Sequence, residues 1–306
     1  MSLLQRRERE LAGTGHIFMP PSRRGAVYPG VAGGIAVLVA LALIVRAIVG
    51  GISFASFLML LAAVVLLAAG GLALYWAWAC ATLRYQLDHG VLTIHWGLLR
   101  HQVPVALLER AVRGRATARL AVEGLDWPGC HVGHAQAPRI GRIRVISLHQ
   151  SPSEVLYLLG PGVAYAISVA NSAGFVRTLQ EQMEYRAPLA GPRVIAPPAL
   201  GALGRLDPAV LSALAAAALL ALLATGVVFG RYAGFADRIV VNFPEEARVA
   251  DRSALLGIPL AAWALLLLNG AAGVRLAPAR RTAAFTLLYG AAFVEALLVL
   301  AAVTAV

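Results

Sequence analysis

VYPGVAGGIAVLVALALIVRAIVG, residues 27–50, runs straight into GISFASFLMLLAAVVLLAAGGLALYWAWA, residues 51–79. The only charged residue in this stretch is Arg46. A bilayer core of about 30 Å needs about 20 apolar residues per helix. The stretch is therefore long enough for two spans, Gly25–Val45 and Ile52–Ala79, joined by a turn at Gly50–Gly51. The first span is not a cleavable signal peptide: its polar lead-in is long, its apolar run is membrane-length, and a second span follows at once. Arg46 falls at the end of the first span, where a long cationic side chain snorkels to the interface.

Further along, residues 208–304 repeat the pattern. Three more spans are expected there: Pro208–Gly230, Ala254–Val274 (the shortest) and Ala283–Thr304. The composition agrees, with 59 % hydrophobic residues and a mean hydropathy of +0.75, far from a soluble globular domain. Between the two blocks lies a polar middle. The reading is an α+β membrane protein with five transmembrane helices, two and then three, and one domain inserted between them. Its parts are an N-terminal segment (1–26), a two-helix membrane hairpin (27–79), a middle domain (80–190), a linker (191–207) and a three-helix membrane region (208–306) with a loop at 231–252.

All 26 basic residues are arginine. The absence of lysine excludes a Walker A loop, a protein-kinase strand lysine and Schiff-base chemistry, each of which needs the amine. Arginines near span ends set orientation. The N-terminal segment, the middle domain and the 275–282 turn are rich in arginine, while the 231–252 loop carries four arginines and four acids. This places the N-terminus and middle domain in the cytoplasm of a multi-pass protein of the cell membrane, with the 231–252 loop and the C-terminus outside. Positive-inside sorting accounts for most of the net charge of +11. No nucleic-acid partner is expected, since no stacking platform or binding-fold signature accompanies the charge. Cys80 and Cys130, the only cysteines, fall on the cytoplasmic side and are expected as free thiols.

In the middle domain the apolar period shortens to two. Leu83–Asp88 leads into the turn pair His89–Gly90. Val91–Trp96 then alternates, with Leu92, Ile94 and Trp96 on one face. Leu98–Val103, Arg142–Leu148, Val155–Leu159 and Val163–Ser168 follow, separated by glycine and proline turns. About seven strands are expected. Asn171 or Ser172 then caps a helix from about Ala173 to Arg186, with Phe175, Val176, Leu179 and Met183 on one face.

Tyr85-Gln86-Leu87-Asp88-His89-Gly90-Val91-Leu92-Thr93-Ile94, Val103-Pro104-Val105, and Tyr165-Ala166-Ile167-Ser168 followed by Phe175-Val176 resemble the bacterial pleckstrin-homology-like domains of membrane proteins. The resemblance covers about residues 80–186. It implies a β-barrel or sandwich capped by a C-terminal helix and used for binding or scaffolding, with no catalytic residue. The segment usually written Pro-x-Asp-Pro after Ile-Ser is Val169-Ala170-Asn171-Ser172 here. In the outer loop, Asp237-Arg238-Ile239-Val240-Val241-Asn242-Phe243 through Asp251-Arg252 to Ile258-Pro259 resembles the immunity-protein family of the sporulation-delaying toxin. Asn242 stands where that family carries histidine.

Candidate chemistry is sparse. Cys130-His131-Val132-Gly133-His134 is the nearest approach to a metal site, but adjacent Cys and His face opposite sides of a strand and no fourth ligand is near, so a polar loop without metal is expected. Arg110, Arg113, Arg115 and Arg119 form either a lipid-headgroup contact or a solvated basic face. Glu295, near the middle of the fifth span, is either a proton or substrate site or a neutral packing residue, because a charged carboxylate there costs several kcal/mol. The repeats Ala26, Gly30, Gly34 and Gly226, Gly230 offer small faces for helix packing. The outer-loop acids Glu245, Glu246, Asp237 and Asp251 are expected to be solvated. No cofactor and no catalytic residue is expected. The partners are the lipid bilayer and a protein partner, or a second copy, bound through the middle domain. A non-enzymatic binding module is the leading expectation. A small transporter or toxin-immunity protein using Glu295 and the outer loop is the alternative.

Overall fold

The computed structural model describes residues 15–114, 121–137, 140–183, 191–197, 207–242, 247–277 and 280–304. Its helices are α1 (Val27–Val49), α2 (Phe54–Ala81), α3 (Ser172–Met183), α4 (Pro208–Arg231), α5 (Gly257–Leu276) and α6 (Arg281–Thr304). All but α3 are long and apolar enough to cross a membrane. Large apolar side chains on them point outward, such as Ile48 and Leu268, each 72 % exposed. That arrangement suits hydrocarbon rather than water, and the chain is of multi-pass membrane type. It divides into two compact units, residues 1–36 with 69–197 and residues 37–68 with 198–306.

In the second unit α4, α5 and α6 each pack against the other two. Asp207 caps α4 by accepting from the Ala209 amide at 3.0 Å, with Pro208 at the first helical position. Ala213, Ala217, Ala221 and Ala224 form the buried face of α4. Gly226 and Gly230 accept aromatic rings: a Cβ at Gly226 would lie 3.2 Å from the Phe57 ring, and one at Gly230 3.6 Å from Phe54. The segment expected as a plain loop holds a hairpin, β12 (Arg238–Asn242) with β13 (Ala247–Asp251), in register from Arg238–Asp251 to Asn242–Ala247.

In the first unit, α1 meets α2 at Gly30, one of the expected small residues, where a Cβ would lie 3.7 Å from that of Ala77, and at Gly33, but not at the expected Gly34. A Cβ at Gly33 would sit 2.9 Å from the Gly70 carbonyl, while one at Gly34 meets nothing within 4 Å. The strands of the middle domain form two sheets. The first contains β1 (His16–Phe18), β2 (Arg84–Asp88), β3 (Val91–Trp96), β4 (Leu99–Pro104) and β11 (Arg193–Ile195), in the order β1-β2-β3-β4-β11. The second contains β5 (Arg110–Arg113), β6 (Val122–Trp127), β7 (Cys130–Ala137), β8 (Gly141–Ser147), β9 (Val155–Gly160) and β10 (Val163–Ser168), in the order β5-β9-β10-β8-β7-β6. Among the described residues only β8 and β10 run parallel. Neither sheet closes among the described residues, because the outermost strands of each do not pair with one another. A closed barrel is therefore absent there.

The two sheets share one core. Tyr85, Leu87, Leu92, Ile94 and Val103 of the first pack with Ile146, Leu156, Leu158 and Ile167 of the second. The Tyr85 hydroxyl donates to the Ile146 carbonyl at 2.9 Å and accepts from the Ser168 amide at 3.3 Å, joining the sheets at their middle. At the turn between β2 and β3, His89 and Gly90 both have positive φ, 46° and 72°, as a tight hairpin turn requires. Asn171 caps α3 by accepting from the Gly174 amide at 2.9 Å. Phe175 and Leu179 of α3 are buried in the core, with Val176 and Met183 at its margin. Residues 184–186 of the expected helix lie outside the described residues.

Three departures from expectation share one cause. The Cys130–His134 segment is strand β7, not a loop, and pairs on both sides with β6 and β8. The 191–207 linker contains β11, paired with β4. The N-terminal segment contains β1, paired with β2. Each strand is short or broken by glycine and histidine, so pairing with a distant strand, not local alternation, holds it in place.

Candidate functional site

The outer face of the six-stranded sheet carries a second apolar patch, with Ile143, Val145, Val155, Tyr157 and Ala166 buried together. Part of this patch floors a cleft of about 720 Å³. Its walls are the turn Trp127-Pro128-Gly129 between β6 and β7, the segment His149-Gln150 after β8, and Arg24 and Tyr28 from the start of α1.

Backbone contacts hold the α1 wall in place. The Trp127 indole donates to the Gly25 carbonyl at 2.8 Å. A Cβ at Gly25 would fall 2.1 Å from the Gly129 carbonyl oxygen, so only glycine fits. Gly129 has φ of 83°, which again suits glycine. The Trp76 and Trp127 rings lie 5.9 Å apart, so α2 reaches the same turn. The Gln150 side chain donates to the Ser22 hydroxyl at 3.2 Å, closing the other side.

A polar relay runs through the cleft. The Asp126 carboxylate meets His131 Nδ1 at 2.6 Å. The His131 ring stacks on His149 with centroids 4.1 Å apart. His149 Nδ1 lies 2.8 Å from the Ser147 hydroxyl. Burial, with help from neighbouring His131 and against Asp126, pushes His149 down to about 4, so it is neutral at pH 7. Ser147 is fully buried. The cleft thus offers Arg24 as a cation, a carboxylate already engaged by histidine, neutral donors and acceptors on His149 and Gln150, and an apolar floor. That set suits holding a ligand.

A second cluster joins the sheets. Arg144 on β8 reaches His101 on β4 and His134 on β7, both at 3.3 Å. A guanidinium only donates, so both imidazole nitrogens accept and both rings are neutral in this arrangement. Burial, then Arg144, pushes His101 down to about 4.

The arginine cluster is not gathered at the cleft. Arg110 and Arg113 are exposed on the edge strand β5, and their odd spacing puts them on opposite faces. Arg113 donates to the Ser172 hydroxyl at 2.7 Å. Arg115 and Arg119 lie outside the described residues. Among the described residues no group of three or more His, Cys, Asp or Glu could hold a metal ion.

Glu295 lies on α6, on one face with Ala284, Leu288, Ala291 and Ala302, and is fully buried. Neither carboxyl oxygen has a hydrogen-bond partner. Sequence reasoning singled out Glu295 and His131 but missed Asp126, His149 and the cleft itself. The Trp127-Pro128-Gly129 turn was the one local signal near it.

Comparison with family models, with curated proteins and with solved structures returned no match for this chain.

Proposed function

We propose that this chain is a non-enzymatic membrane protein whose middle domain is pleckstrin-homology-like, faces the cytoplasm and serves as a binding or scaffolding module. The observation that carries the reading is the cleft of about 720 Å³ beside the start of α1. It is within the size range of small-molecule or peptide-side-chain sites and combines an apolar floor with a few convergent polar groups. Ser147, whose hydroxyl meets His149, is fully buried and does not line the cleft, which argues against a nucleophile there. Arg110, exposed on the edge strand β5, supplies a headgroup contact that adds about 1 kcal/mol of attraction to an anionic surface, while Arg113, on the opposite face, is held by Ser172.

Proximity labelling of the intact protein in its own membrane tests this. The chain is compared with a Gln150→Ala, Asp126→Ala variant and with a deletion of residues 84–186. A partner set that the deletion loses and the cleft variant weakens is expected. An identical set from all three chains overturns the proposal.

A second reading, a small transporter or toxin-immunity-type protein, is favoured by one observation. Glu295 is fully buried with both carboxyl oxygens unpartnered. Buried polar groups in a bilayer are costly and concentrate where something is bound or moved.

A further inference from the structure

Cys80 and Cys130 are fifty positions apart in the sequence, yet their sulfurs lie 2.9 Å apart. Both are free and fully buried. A disulfide bond is about 2.05 Å long, so less than about 1 Å of sulfur movement separates the pair from a covalent bond. Cys80 belongs to the last turn of α2, and Cys130 opens β7 directly after the turn that holds Gly25. The chain has no other cysteine, so neither has a competing partner within the molecule.

The neighbourhood is built for fixed positions. A Cβ at Gly25 would lie 2.9 Å from the Cys130 Cβ. Trp76 and Trp127 close over the same turn. Cys130 shares its hydrogen bond with Cys80, and that bond, together with burial, pushes the Cys130 thiol well above its ordinary range. In a packed interior two thiols can be brought this close by the fold itself, and oxidation then needs little rearrangement.

We infer that Cys80 and Cys130 are a modification site, at which a peroxide converts the two thiols into a reversible intramolecular disulfide. One sulfur, as thiolate, attacks a peroxide oxygen: an S–O bond forms, the O–O bond breaks, and the leaving hydroxide takes up a proton as water. The second sulfur attacks the resulting sulfenic sulfur. The S–S bond forms, the S–O bond breaks, and a second water leaves. Each sulfur loses one electron and the peroxide gains two. A small dithiol reverses the step by exchange. The bond ties the end of α2 to the first residue of β7, beside the turn that walls the cleft. A reversible bond is also the kind compatible with a reducing compartment, where lasting disulfides are rare.

The test uses the full chain in its membrane. The membranes are treated with hydrogen peroxide and, in parallel, with the thiol oxidant diamide. Free thiols are then alkylated under denaturing conditions, and the peptides are weighed. The expected result is a single cross-linked peptide pair holding Cys80 and Cys130, lighter by two hydrogens, in a chain that remains monomeric on a non-reducing gel. Dithiothreitol restores two alkylated cysteines. Cys80→Ala should abolish the cross-link and leave Cys130 alkylated, and Cys130→Ala the converse, which needs no folded protein to read. Full alkylation of both cysteines after both oxidants overturns the inference. So does a disulfide-linked dimer, or oxidation of one sulfur to sulfinic acid without a cross-link.

Discussion

Glu295 shows how one residue separates two readings of the membrane bundle. Its carboxyl group is buried among α4–α6, with small side chains along its own face and no partner for either oxygen. A charged carboxylate there costs several kcal/mol, so a packing role requires the neutral acid. Glu295→Gln keeps the shape and removes the proton. If the residue only packs, Gln leaves expression and thermal stability within about 0.5 kcal/mol of the parent, while Glu295→Arg loses expression because a permanent charge enters the bundle. We expect that outcome. A Gln variant that folds normally but loses the cellular phenotype would instead support a proton or substrate site. Detergent-solubilised thermal unfolding read beside a phenotype assay decides the point.

At the scale of elements, the joint between α1 and the β6–β7 turn is a contact between two backbones. Gly25 is fitted against Gly129 so closely that any Cβ collides with a carbonyl. Gly25→Ala should force the start of α1 away from the turn and break the Trp127 hydrogen bond, costing about 1–3 kcal/mol. Gly34→Ala, nine residues and more than two turns further along and facing open space, should be neutral or slightly stabilising, since alanine is the better helix former. Hydrogen exchange at residues 127–131 reads the difference; equal protection in both variants would show that the joint does not depend on Gly25. This joint also marks where reading the sequence stopped. The spans, the β2–β3 hairpin and the cap on α3 were legible, because each depends on a local pattern: a run of apolar residues, a His-Gly turn, an asparagine before an apolar stripe. β1, β7 and β11 were not, because the partner strand decides them. The cleft was hidden for the same reason. Asp126, His131 and His149 are brought together by β6–β7–β8 pairing, and nothing in their neighbours announces it.

For the molecule as a whole, two properties follow. The first is a loss of stability in acid. His95, His101 and His149 are each pushed from 6.5 down to about 4, first by burial and then by neighbouring cations or a neighbouring imidazole. Between those values the unfolded chain binds more protons than the folded one, so stability rises with pH across this window and falls on acidification. The thermal midpoint should drop steadily from pH 6.5 to 4, and His101→Gln should flatten part of that slope. A midpoint independent of pH over this range would show that these rings are more solvated than their burial indicates.

The second is orientation. Among the described residues five helices are long and apolar enough to span a membrane, and an odd number of spans would put the two termini on opposite sides. The sign follows from arginine. The segment before α1 and the 275–282 turn after α5 carry arginines with few opposing acids, while residues 231–252 are balanced at four each. Arginine excess is retained in the cytoplasm, so we expect the N-terminus, the middle domain and the α5–α6 turn on that side and the β12–β13 hairpin on the other. Reporter fusions active only in the cytoplasm or only outside it, placed at positions 1, 190 and 306, should report inside, inside and outside. Two termini on one side would mean that α5, the shortest of the five at 20 residues, does not cross. The hairpin and the turn carrying Arg275, Arg280 and Arg281 would then share one face, against the charge difference between them.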